Sequence, residues 1–144
     1  MSRSGYHEDS TEWSYICWRG AVTSAIRGER GQAFLIGLGQ LMDEMPEKKL
    51  IKDSFVNDCG MCTLGVAANA LNIQTDDLII KYDYFSDDES EVDNKKLAER
   101  LNIAEAMARE IQYMNDEHGS WLGEETPEKR WRRMREWVRE NIIT

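Results

Sequence analysis

Residues 94–117 read NKKLAERLNIAEAMAREIQYMNDE, and the placement of apolar and small side chains here constrains the fold more than any other stretch does. Leu97, Ala98 and Leu101, then Ile103, Ala108 and Ile111, fall where two helices joined by a tight turn bury one face each, because residues three and four apart share a helix face. Asn102 stands at the turn, where the chain needs the left-handed backbone that Asn tolerates better than most residues.

This spacing resembles a helix-turn-helix. The second helix of such a pair runs here from Ala104 through Glu110, and a helix that enters a DNA major groove presents Arg, Lys, Asn or Gln to phosphates and base edges. Arg109 instead stands between Glu105 and Glu110, a composition that favours a structural corner over a reading head.

Working outward, a chain of 144 residues is long enough to bury one hydrophobic core without disulfides or metal. The expectation is a mainly α, single domain spanning 1–144, of about five helices, with an N-terminal helical hairpin, the helix-turn-helix-like corner and a small β-hairpin. No apolar run is long enough to cross a bilayer, and the opening MSRSGYHEDSTEW lacks the basic start and apolar middle of a signal peptide. A cytoplasmic location follows as the expectation. Three cysteines, Cys17, Cys59 and Cys62, argue against a disulfide framework.

The formal charge of −9 is unevenly spread. Residues 61–93 carry Lys81 against Asp76, Asp77, Asp83, Asp87, Asp88, Glu89, Glu91 and Asp93, a balance of −7, whereas residues 94–144 carry ten charges of each sign. A concentrated acidic patch attracts basic partners and repels nucleic acid and anionic lipid.

Residues 1–11 are polar and without periodicity, which predicts a loose or surface-lying segment. Two helices then follow, EWSYICWRGAVTSAIRG capped by Thr11 and stopped at Gly28, and QAFLIGLGQLMDEM ended by Pro46. In the first, Trp13, Ile16, Cys17, Gly20, Ala21 and Ser24 form one stripe, narrow enough at its small residues for another helix to approach closely. In the second, Phe34, Leu38, Leu41, Met42 and Met45 share a face. So short a connection predicts an antiparallel pair. Arg19, Arg27 and Arg30 beside it invite an anion-binding reading, against the commoner one of surface ion pairs.

In KKLIKDSFVNDCGMCTLGVAANALNI, short apolar pieces split by Asn57, Asp58 and Gly60 predict the small hairpin, and Thr63 can cap a helix through Leu71. Cys59-Gly60-Met61-Cys62 is a C-x-x-C ahead of a helix, the placement of a redox pair. Pro46 and Pro127 both lack the context of the cis-proline such enzymes use, and a zinc site would have to recruit Cys17, His7 or His118, which lack ligand spacing. No metal or cofactor is expected. DDLIIKYDYF alternates as a strand with Leu78, Ile80, Tyr82 and Tyr84 on one face, and residues 86–93 read as an acidic loop lacking the Gly and Glu of a calcium loop. Thr126, Pro127 and Glu128 open the last helix as cap and first two residues. Trp131, Met134, either Trp137 or Val138, and Ile142 stripe it, and Arg130, Arg132 and Arg133 with their basic neighbours cover the rest. Its tryptophans are expected on the core and its arginines on the chain's own acidic segment.

SRSGY near the start, WRGAVTSAIRGERGQAFL at 18–35, REIQYMNDE at 109–117 and ETPEKRWRRMREWV at 125–138 together resemble a family of small bacteriophage and prophage proteins with no assigned activity. The chain departs from that pattern in its longer acidic loop at 86–93 and in Cys59. The resemblance implies a phage product acting in the host bacterial cytoplasm. The charge distribution then suggests a non-enzymatic inhibitor that occupies a basic surface of a host protein through Asp83, Asp87, Asp88, Glu89 and Glu91. The alternative is a DNA-binding regulator using Arg109, Arg130, Arg132 and Arg133. An enzyme ranks third, because no nucleophile elbow, phosphate loop or paired-carboxylate signature stands out. A membrane partner is not expected, and a homodimer is compatible with either of the first two readings.

Overall fold

Asn102 adopts the left-handed conformation (φ 56°, ψ 45°) that its place in the sequence calls for. It ends one helix with a paired set of backbone bonds, Ile103 N–H to Ala98 O at 3.0 Å and Asn102 N–H to Glu99 O at 3.3 Å, which satisfies carbonyls that the helix end would otherwise leave open. Around this corner the protein, described here by a computed structural model for residues 3–4, 12–81, 90–117 and 123–144, forms six α-helices and two short strand pairs among the described residues. In chain order these are α1 (Glu12–Arg27), α2 (Glu29–Glu44), β1 (Val56–Asn57), β2 (Gly60–Met61), α3 (Thr63–Ala70), a 3-10 turn (Thr75–Leu78), β3 (Ile79–Lys81), β4 (Ser90–Val92), α4 (Asn94–Leu101), α5 (Glu105–Asp116) and α6 (Pro127–Asn141).

One hydrophobic cluster joins them, with Leu35, Leu38, Met42, Leu64, Leu78, Leu97, Met107, Ile111 and Met134 fully inside. Helix α5 packs against α1, α3, α4 and α6, and α2 bridges α1, α3 and α6. Two close approaches require glycine. A Cβ on Gly31 would lie 2.0 Å from Ala25 O at the α1–α2 turn, and one on Gly65 would lie 2.0 Å from Phe55 O, where the first hairpin presses on α3. That hairpin pairs Val56 with Met61 and Asn57 with Gly60, antiparallel. The second pairs Ile79 with Val92 and Ile80 with Glu91.

Several expectations need correction. The α1 stripe of Trp13, Ile16, Cys17, Gly20, Ala21 and Ser24 is exposed along its whole length, because the helix buries its opposite side through Val22 and Ile26, with Trp18 and Ala25 partly covered. Among the described residues nothing approaches the stripe closely at Gly20, where a Cβ would meet nothing within 4 Å. The 86–93 segment is not loop throughout, since residues 90–92 pair with β3 and Asp93 caps α4. The expected alternation at 78–84 fails at its start, where the 3-10 turn buries Leu78 and leaves Ile80 exposed; Tyr82 and Tyr84 lie outside the described residues. The 1–11 stretch is anchored at Arg3 and Ser4, and Ser4 is buried.

Two substitutions test this packing. Leu101→Ala removes a buried side chain from the corner and should cost about 2–5 kcal/mol, and Gly65→Ala forces the hairpin off α3 at a cost of about 1–3 kcal/mol. Urea unfolding followed by circular dichroism measures both, and a loss well under 1 kcal/mol in either would contradict the contact described.

Candidate functional site

The acidic side chains cluster around the second hairpin. The 3-10 turn sets Asp76 and Asp77 outward, Asp93 N–H bonds Leu78 O at 2.7 Å, and the Asp93 carboxylate accepts from Lys96 N–H at 3.0 Å as the cap of α4. Glu91 lies half-buried opposite Ile80 in β3. Asp83, Asp87, Asp88 and Glu89 lie outside the described residues, so of the five residues assigned to partner binding only Glu91 is placed. Two bases border this edge: Lys96 Nζ donates to Asp77 O at 3.3 Å and Arg100 stands 4.0 Å from the Asp77 carboxylate.

The arginines of the DNA-binding alternative are distributed differently. Arg130 is buried and donates to Leu50 O at 2.9 Å, with its Nε 3.3 Å from Glu125. Arg133 grips both oxygens of Glu125 at 2.7 and 2.9 Å and donates to the carbonyls of Met114 and Asn115 at the end of α5. Arg109 bonds Glu105 at 2.8 Å and Ser4 O at 3.3 Å. Arg132 is exposed. Four arginines of α6 take carboxylates outside the acidic segment, which corrects the expectation for them. Arg130 and Arg133 take Glu125, just ahead of the cap Thr126; Arg135 takes Asp43 on the adjacent α2 at 2.8 and 2.9 Å; and Arg139 takes Glu136 on its own helix. These carboxylates are nearer along the chain or across the α2–α6 contact. The hydrogen bond from Arg135 holds the Asp43 carboxyl below its usual range. The stabilisation from this solvent-exposed pair is at most about 1 kcal/mol. It is complete above the ordinary aspartate value and is lost as pH falls through the lower folded one.

Sequence reasoning missed a belt of polar side chains buried along α5. Glu110 is buried and pairs with Arg19 of α1, which also stacks on Trp18 at 5.2 Å. Arg19 is therefore not free to form an anion site with Arg27 and Arg30, and Arg30 reaches Asn102 instead at 3.5 Å. Gln112 donates to Asn94 at the start of α4. Asn115 accepts from the Thr63 N–H at 3.1 Å and hydroxyl at 2.7 Å, and donates to Ile51 O at 2.9 Å. Asp116 receives two bonds of 2.7 Å from Arg3 and one of 3.1 Å from Asp53 N–H. Burial alone would lower the Arg3 pKa; the neighbouring Cys62 sulfur and the Asp116 carboxylate outweigh it and raise it.

Cys62, not Thr63, caps α3: its sulfur accepts from Gly65 N–H at 3.3 Å and faces Arg3 at 3.6 Å. Cys59 is exposed in the hairpin turn, its N–H bonded to Asn57 at 2.7 Å. Among the described residues no group of three His, Cys, Asp or Glu side chains is arranged to hold a metal ion, and no helix is long and apolar enough to cross a membrane. Comparison with family models, curated proteins and solved structures yields no match.

The Arg19–Glu110 pair offers a direct measure of the belt. Arg19→Ala leaves a buried carboxylate without this cation and should cost about 3–5 kcal/mol, while adding Glu110→Gln to that variant should recover part of the loss. A double-mutant cycle on urea unfolding, with a coupling energy near zero, would show that the pair does not hold α1 to α5.

Proposed function

We propose that this chain is a non-enzymatic bacteriophage accessory protein that binds and inhibits a host protein through its acidic segment, acting in the host bacterial cytoplasm. The partner in this reading presents a basic, nucleic-acid-binding surface, as a defence nuclease does, so the activity is of the anti-CRISPR or anti-restriction type. The observation that carries the reading is the internal use of the arginines. Arg109, Arg130 and Arg133 are bonded to the chain's own carboxylates and carbonyls, which leaves the −7 balance of residues 61–93 as the dominant charge feature. The likeness of the quoted motifs to phage proteins supports the setting. An acidic surface steers association with a basic one and sets partner choice more than it sets folding.

The test compares the wild-type chain with a variant in which Asp83, Asp87 and Asp88 become Asn and Glu89 and Glu91 become Gln. Immobilised wild-type protein should retain a nucleic-acid-binding protein from bacterial lysate at low salt and release it as salt rises past about 0.15 M, where the Debye length is about 8 Å. The neutralised variant should unfold at the same temperature and capture much less, whereas equal capture by both would remove the acidic segment from the mechanism. Submicromolar binding of duplex DNA at physiological salt, lost in Arg132→Ala, would replace this reading with the regulator. Cys59→Ser combined with Cys62→Ser should still capture the partner, since a serine oxygen can take over the cap; loss of capture by a folded double variant would return the C-x-x-C to the function.

A further inference from the structure

Trp13, Ile16, Cys17, Gly20, Ala21 and Ser24 line one side of α1, with Trp13 72% and Ile16 55% exposed. Among the described residues, α1 is buried on the opposite side, at Val22 and Ile26. A helix apolar on both sides leaves an exposed face of the kind that marks an interaction surface. We infer that this face joins two copies of the chain, as an antiparallel α1–α1 pair crossing at Gly20 on a twofold axis. The inference goes beyond the acidic-surface reading and does not rest on it.

Shape selects this occupant. The bulky side chains Trp13, Ile16 and Cys17 fill the first half of the stripe and the small residues Gly20, Ala21 and Ser24 the second, with Gly20 near the middle of Glu12–Arg27. Turning one helix end over end about Gly20 lays the bulky half of each copy on the small half of the other, as a self-complementary twofold contact requires. The open space at Gly20 lets the backbones approach at the crossing. Charge agrees. The antiparallel arrangement opposes the helix dipoles and sets Trp13 of one copy level with the exposed Arg27 of the other for a cation–π contact. A parallel pair would stack bulk on bulk and Arg27 on Arg27.

Sedimentation equilibrium of the full chain, from about 1 µM to about 1 mM, should give a reversible monomer–dimer equilibrium. Gly20→Leu and Trp13→Ser should each raise the dissociation constant at least about tenfold. Gly20→Leu should not lower the unfolding temperature, because the site is open and Leu is a better helix former than Gly. A chain that stays monomeric throughout, or a dimer indifferent to both substitutions, overturns the inference. Orientation is read by Ser24→Cys in a Cys59→Ser background, oxidised with glutathione disulfide. The expected product joins Cys17 of one copy to the thiol introduced at position 24 of the other. Within one helix these positions are about 10 Å apart, beyond disulfide reach. Cys17 linked to Cys17 would overturn the antiparallel pair.

Discussion

The polar side chains that helix α5 carries out of reach of water draw partners from several other elements, and the rest of the fold is arranged around those pairings. An unpaired buried polar group costs about 1–3 kcal/mol, and an unpaired charge more. The partners are supplied by different parts of the chain: Arg19 from α1, Thr63 from α3, Asn94 from α4 and Arg3 from the N-terminal segment, while Arg133 of α6 donates to the backbone carbonyl of Asn115. Each bond fixes not only that an element packs on α5 but where along the helix it does so. Apolar packing among Leu97, Met107, Ile111 and Met134 supplies the larger driving force, yet it would tolerate small slides that these directional bonds do not.

That division explains what could be read from the sequence. The helical pair at 94–117, the N-terminal hairpin and the capped last helix are legible because local periodicity, an αL-tolerant Asn and a Thr-Pro-Glu start agree with the fold. The same stop signal occurs twice. Leu71-Asn72-Ile73 ends α3 as Leu101-Asn102-Ile103 ends α4, with Asn72 at φ 56° and Ile73 N–H bonded to Ala68 O at 2.9 Å, so the first copy was available as a signal. The buried side of α1 was not legible, because Trp13, Ile16 and Cys17 make the outer side look as apolar as the one carrying Val22 and Ile26. Glu110, Gln112 and Asn115 read as solvent-facing by residue type, and only tertiary pairing brings them inside. The Arg3 anchor had no local signal at all, since its partner is 113 positions away.

For the candidate site, the charge count located the acidic segment but could not say which carboxylates have structural duties. The Asp93 carboxylate caps α4, so within a uniform-looking acidic run one group helps to hold the fold. The ten basic and ten acidic side chains of residues 94–144 looked like a mixed, basic-faced region. Folding pairs several of them with one another, including Arg109 with Glu105 and Arg130 and Arg133 with Glu125. Their fields largely cancel at a distance.

The tie between Arg3 and Asp116 also has a consequence for the order of events during synthesis. The two helices of the N-terminal hairpin are neighbours in sequence and can pair while later residues are still being translated. The guanidinium of Arg3 also meets Phe55 and Cys62, which are made earlier, but its two bonds to Asp116 must wait until α5 has been synthesised. The bond therefore closes one of the longest loops in the molecule, and the conformational cost of that closure is met late, when the surrounding helices already confine both ends. Arg3 thus acts as a clasp: translated before α5 and dependent on that helix for its grip.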